Sequence, residues 1–146
     1  MLFNNKNQEP DFSIQNISSM SDNGSFRNLA VWEKSHRLVL SIYKATKAFP
    51  KDELYGLTSQ MRRAALSVPA NIAEGYKRAG VREKIRFYNI AQASLEELKY
   101  FIILSKDLEY IIPDQAPSLA EEVSKMLESY IQKIKQNAAY EPEPDY

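Results

Sequence analysis

Apolar residues recur along most of this chain at intervals of three and four, the spacing that gives an α-helix one buried side. Trp32, Ser35, Val39, Ile42, Thr46 and Phe49 form one such row, with Val31, Leu38 and Ala45 beside it. The row predicts a first helix from Leu29 to about Ala48, with Asn28 as N-cap. Phe49-Pro50 closes it, since a residue before proline avoids the α region. Leu54, Leu57, Met61, Ala64, Val68, Ile72 and Tyr76 carry the spacing through a second helix beginning near Glu53, with Asp52 as its cap. Tyr88, Ala91, Leu95, Leu98, Ile102 and Ser105 predict a third helix over Val81 to Tyr110, roughly 45 Å long at 1.5 Å per residue. A second row on it, Phe87, Ser94, Phe101, Leu104 and Leu108, widens the apolar face. Ile112-Pro113 stops it. A fourth helix is expected from Ser118, where Ser118-Leu-Ala-Glu121 has the form of a capping box. Leu119, Val123, Met126, Leu127, Tyr130 and Ile134 give its stripe.

Pro69 falls inside the second helix. It has no N–H to give the carbonyl of Ala65, and its ring crowds that turn. Two outcomes follow: a kinked continuous helix, or a break at Ser67-Val68 with Pro69 opening a new one. The apolar phase runs through the proline undisturbed and favours the kink. Four helices with short connections predict an all-α, antiparallel up-down-up-down four-helix bundle over residues 27–138. Residues 1–26 are polar without a lasting period and read as a disordered arm. Residues 139–146 form an acidic, proline-broken tail.

Composition narrows the functional classes. At 146 residues and 44% hydrophobic, the chain suits one domain with a real core. It has no cysteine, which removes disulfides, thiol catalysis and cysteine-based zinc sites. No apolar run reaches the length of a membrane span, and no signal-like core stands at the N-terminus, so a cytoplasmic location is expected. The formal net charge is zero, but it hides a polarised molecule. From Gly56 to Gln92 there are seven Lys/Arg against two acids, whereas the final 34 residues hold seven acids and three bases.

The basic residues Lys77, Arg78, Arg82, Lys84 and Arg86 gather at the turn between the second and third helices. Those opening the third helix sit where the helix dipole disfavours a cation by about 0.3–1 kcal/mol each. Phosphate contact would explain them, and they are the candidate nucleic-acid-binding residues. A solvated helix end is the other reading, with Lys77 and Arg78 answering the dipole of the second helix. Arg63, Asn71, Glu74 and Glu97 occupy polar positions within or beside apolar rows. They are expected to form an interhelix network that fixes register, since such groups are costly when unpaired.

Catalysis finds little support. Glu33-x-x-His36 matches half of a di-iron motif, but His36 is the only histidine, so no second Glu-x-x-His exists within one chain. A partly exposed helical histidine is the simpler reading. There is no glycine-rich phosphate loop and no credible nucleophile–base pair. No catalytic residue, metal or cofactor is therefore assigned. Nine tyrosines and six phenylalanines read mainly as core and, through the surplus apolar rows, as subunit contact. Base stacking is the weaker reading, because these rings belong to apolar rows and not to the basic residues.

Several segments together resemble a known family. They are Leu29-Ala-Val-Trp32, Phe49-Pro50, Ser94-Leu-Glu-Glu-Leu98, and above all Leu57-Thr-Ser-Gln-Met-Arg-Arg-Ala-Ala-Leu-Ser-Val-Pro-Ala-Asn-Ile-Ala-Glu-Gly75. A proline inside a helix followed by Asn-x-x-Glu-Gly is not a general property of bundles. The stretch over residues 28–112 resembles the small four-helix-bundle proteins encoded in intervening sequences of bacterial 23S ribosomal RNA. The resemblance implies a homo-oligomer, typically a pentamer. It also implies kinship with accessory nucleic-acid-binding subunits of diversity-generating retroelements. Weak RNA or DNA binding at the basic turn is the function it suggests; a protein–protein assembly or adaptor module is the alternative.

Overall fold

In the computed structural model, residues 24–138 are described, and four α-helices account for most of them. They are α1 (Ala30–Thr46), α2 (Leu57–Lys77), α3 (Val81–Asp107) and α4 (Gln115–Asn137). Each helix packs on the next, and α4 closes back on α1. Cross-contacts fix the directions. Lys99 on α3 pairs with Glu121 on α4 at 3.1 Å, while Tyr88, earlier on α3, meets Tyr130, later on α4, at 5.2 Å between ring centres. Lys34 on α1 pairs with Glu122 on α4. The fold is the antiparallel four-helix bundle that the apolar periodicity predicts, and the described residues include no strand.

One core runs through the bundle. Ile42, Met61, Ile72, Tyr88, Leu95, Leu98, Val123 and Leu127 are all wholly buried. Burying side chains of this size contributes about 1.5–3 kcal/mol each. Thr46 and Ser105 sit within the same core because helix carbonyls accept from their hydroxyls. Thr46 Oγ1 donates to Ile42 O at 2.8 Å and Ser105 Oγ to Phe101 O at 2.7 Å. Arg62 borders the core: its Nε donates to Thr46 Oγ1 at 2.9 Å and its guanidinium lies over the Tyr43 ring.

The helix through Pro69 is continuous, with no break at Ser67-Val68, and Pro69 is buried. Beside it the Asn71 side chain donates to Ser67 O (2.7 Å) and Ser67 Oγ (2.9 Å), and Ser94 Oγ on α3 donates to the same hydroxyl (2.7 Å). This small cluster ties the proline-bearing turn to α3.

The helix starts depart from expectation. Asn28 does not cap α1; it ends a 3-10 turn, Phe26–Asn28, that Ser25 caps through Arg27 N–H. Phe26 packs on Trp32 at 5.0 Å, so residues 24–26 join the folded unit instead of the arm, while residues 1–23 lie outside the described residues. Asp52 does not cap α2 either. Residues Lys51–Glu53 form a 3-10 turn, the helix starts at Leu57, and the Glu53 carboxylate accepts from Leu57 N–H at 3.3 Å. Leu54 therefore leaves the seam and is half exposed.

α4 begins at Gln115, ahead of the Ser118 capping box, which makes no capping bond. Pro117 permits this, because its missing N–H falls among the first-turn donors that have no intrahelical partner. The early start also buries Ala116. α3 ends at Asp107, short of Tyr110, in a reversal through Glu109 at φ 63°. Tyr110 N–H bonds Ser105 O and Glu109 N–H bonds Lys106 O, both at 2.9 Å, the paired bonds of a Schellman motif. The acidic tail over residues 139–146 lies outside the described residues.

The topology gives the bundle two unlike ends. The connections before α2 and after α3 share one end, where Tyr55 and Ile111 are 93% and 80% exposed. The α2–α3 turn, with the basic residues, lies at the other. Among the described residues no helix is long and apolar enough to cross a membrane.

Candidate nucleic-acid interface

The α2–α3 turn is tight because α2 ends against α3. Gly75, in the last turn of α2, faces the ring of Tyr88, which leaves no room for a side chain there. Arg78 then turns the chain, its N–H bonding Gly75 O at 3.2 Å, and Gly80 caps α3.

The five predicted cations do not share one role. Lys84 folds back across the turn. Its ammonium donates to Gly75 O at 3.0 Å and Tyr76 O at 2.6 Å, and lies 5.6 Å from the Tyr76 ring. These carbonyls end α2, so Lys84 caps Tyr76 O and gives Gly75 O a second donor beside Arg78 N–H. Partial burial pushes its pKa below the ordinary lysine value. A cation near the start of α3 is thus explained by the end of α2, without a phosphate.

Lys77, Arg78, Arg82 and Arg86 are exposed. Arg78 pairs with Glu74 at 3.3 Å, one turn back on α2. Arg86 pairs with Glu83 through Nε and a terminal nitrogen, at 3.2 and 3.3 Å. Both guanidiniums also lie over one ring, Phe87, at 4.8 Å for Arg78 and 4.6 Å for Arg86. An aromatic ring thus stands among the basic residues, contrary to the expectation that rings and cations keep apart. Two signals were present in the sequence: Phe87 adjoins Arg86 and belongs to an outer apolar row. That Arg78 reaches it across the turn is a tertiary fact no spacing states.

A groove of about 440 Å³ adjoins this surface. It is floored by Ala70 and Ala73 and edged by Phe26, Glu74 and Lys77.

The four residues expected to form an interhelix network are not brought together. Asn71 bonds Ser67, and Glu74 pairs with Arg78. Arg63 and Glu97 are both exposed on the outer sides of α2 and α3, and no bond joins them. The reason is phase: Ser67 and Ser94, one turn along from Arg63 and Glu97 but rotated toward the interface and half-buried, take the contact instead. Glu33 bonds Arg37 at 2.8 Å, and His36 stacks on Trp32 with centroids 5.2 Å apart and planes 9° from parallel. Burial, then the nearby charge of Arg27, lowers the His36 pKa. Among the described residues no three His, Asp or Glu side chains converge as a metal site would need.

The chain is thus an all-α antiparallel bundle with a proline-bearing second helix and a cation-rich turn. A sequence model of the 23S rRNA-intervening sequence protein family matches residues 27–130, and this chain belongs to that family. A solved structure from Bacteroides thetaiotaomicron, described as a protein of unknown function from the S23 ribosomal protein family, is similar in fold. It shares 26% identity with a TM-score of 0.64, over 70% of this chain and 95% of that one. No curated relative matches the chain.

Proposed function

We propose that this protein is a non-enzymatic, self-assembling bundle whose α2–α3 turn binds RNA or DNA weakly, without strong sequence preference, in the cytoplasm. The observation that carries the reading is the set Lys77, Arg78, Arg82 and Arg86, exposed together at one end of the bundle. Lys84 drops out of the set, because its ammonium is committed to Gly75 O and Tyr76 O. The resemblance noted in the sequence supports the reading, since it implies kinship with accessory nucleic-acid-binding subunits of diversity-generating retroelements. Assembly into a ring, a pentamer by the same resemblance, would repeat the patch and raise avidity without new contacts. Leu66 and Ile90, exposed on α2 and α3, offer apolar surface for it.

A salt-resolved titration with structured RNA and duplex DNA tests the reading. Replacing Lys77, Arg78, Arg82 and Arg86 with Gln is expected to remove most affinity and flatten the dependence on salt. Binding that survives those changes would sink it. Light scattering on the purified chain tests assembly, and a monomer at micromolar concentration would count against the ring.

A second reading has its own observation. Leu54, Tyr55, Leu108 and Ile111 are exposed at the end opposite the basic turn. An adaptor would use that end to hold a protein partner. A nuclease-resistant complex lost on Tyr55→Ser and Ile111→Ser would favour it.

A further inference from the structure

We infer that Arg78, Phe87 and Arg86 form a seat for unpaired nucleobases, so that the nucleic acid held at the α2–α3 turn is single-stranded. This rests on the proposed polyanion binding and narrows its ligand.

The geometry goes beyond what phosphate contact requires. A phosphate needs a nearby positive charge, and a lysine supplies one as a point charge. Here two guanidiniums are laid against a single half-buried ring, one from each side of the turn, at 4.8 and 4.6 Å. Glu74 and Glu83 hold them there from one turn away on their own helices. Both guanidiniums, themselves flat cationic groups, are thereby held beside the ring. Flat cationic and aromatic faces stack on bases, and stacking tolerates any sequence because every base has a π-face.

The donors are not exhausted by this arrangement. A guanidinium carries five N–H groups. In its carboxylate pairs Arg78 uses one nitrogen and Arg86 two. The remaining edges can meet phosphates on either side of a stacked base, with Lys77 and Arg82 exposed at the same turn. A duplex hides its base faces and would leave the stacked surface unused.

The test uses the full chain and fluorescence anisotropy with labelled poly-A and poly-U strands, and a duplex of equal length. Wild type is compared with Phe87→Leu and with the double variant Arg78→Lys/Arg86→Lys, which keeps every charge. Single strands are expected to bind more tightly than duplex, poly-A most of all. Both variants should weaken single-strand binding by about tenfold. Duplex binding and its salt dependence should not move for Phe87→Leu, and the lysine variant should lose several times more affinity for single strands than for duplex. If Phe87→Leu fails to fold, the lysine variant carries the test alone. Equal affinity for single strand and duplex, or lysine variants that bind single strands like wild type, overturns the inference while charge-dependent binding still stands. Absence of binding to every probe fails the proposed function, and the inference with it.

Discussion

The ring of Tyr88 fills the space that a side chain on Gly75 would need: a Cβ there would stand 2.7 Å from Tyr88 Cε1. Glycine is poor in helices, and alanine would gain about 1 kcal/mol from propensity. Overpacking a buried site costs about 1–3 kcal/mol. The Tyr88 ring is wholly buried and has nowhere to go, so the steric term wins. Gly75→Ala is expected to lower stability by up to about 2 kcal/mol in chemical denaturation. Adding Tyr88→Leu makes room, and the alanine should then cost less than it does alone. An alanine variant as stable as wild type would show that α2 and α3 can separate freely here.

The Tyr88 hydroxyl is buried and makes no hydrogen bond of ordinary length. Burial, then the neighbouring Tyr130 hydroxyl, raises its pKa far above the usual tyrosine value. The unfolded chain loses this proton near pH 10.0 while the folded chain keeps it. Above that pH the native state binds more protons than the unfolded one, so stability falls as pH rises. The slope from this one group is about 1.4 kcal/mol per pH unit. Tyr88→Phe should match wild type at neutral pH or exceed it, and gain on it steadily above pH 10. Parallel curves for the two proteins would contradict the assignment.

Lys84 and the exposed cations should separate cleanly. Lys84→Met loses two bonds to the end of α2 and is expected to destabilise the fold by about 1–2 kcal/mol. Its effect on polyanion affinity should be small once the fraction folded is accounted for. Gln at Lys77 should do the reverse, lowering affinity with the thermal midpoint nearly unchanged. A Lys84 variant of normal stability but lost affinity would return that residue to the binding surface.

Glu109 holds the left-handed position that ends α3, where glycine is usual. A residue with a Cβ is disfavoured there by roughly 1–2 kcal/mol, partly offset because glycine loses more freedom on folding. Glu109→Gly should therefore raise stability by about 0.5–1 kcal/mol. Thermal melts check it, and a lower midpoint would mean the carboxylate has a contact of its own.

The fold was legible because each helix carries one persistent apolar period. Ile42, Met61, Leu95 and Val123 all sit where the spacing places them. Helix starts were less so, for particular reasons. Asp52 and Ser118 have good cap chemistry, but Gly56 and Pro117 decide where α2 and α4 begin. At the candidate site, the position of the cations could be read but not their partners. Lys84 reaches nine residues back to Gly75 O, and Arg78 crosses the turn to Phe87. Such contacts depend on how closely two helices approach, which is set by Gly75 and Tyr88 together. Asn71 differs: its partner is Ser67, one turn back on the same helix, and not a charged residue on another helix.

The unlike ends of the bundle constrain any ring it builds. In a cyclic assembly every copy points the same way along the symmetry axis. With the bundle axis along that symmetry axis, all the Arg78–Phe87–Arg86 stacks would gather on one rim, and all the Tyr55 and Ile111 side chains on the other. Such a ring is a washer with two distinguishable faces. A strand arriving at the cationic rim would meet identical seats in rotation, while a partner on the opposite rim would face the same repeat without touching the strand. A dihedral assembly would place the same seats on both outer rims or bury them between rings, so the symmetry group alone decides whether the particle has a front and a back.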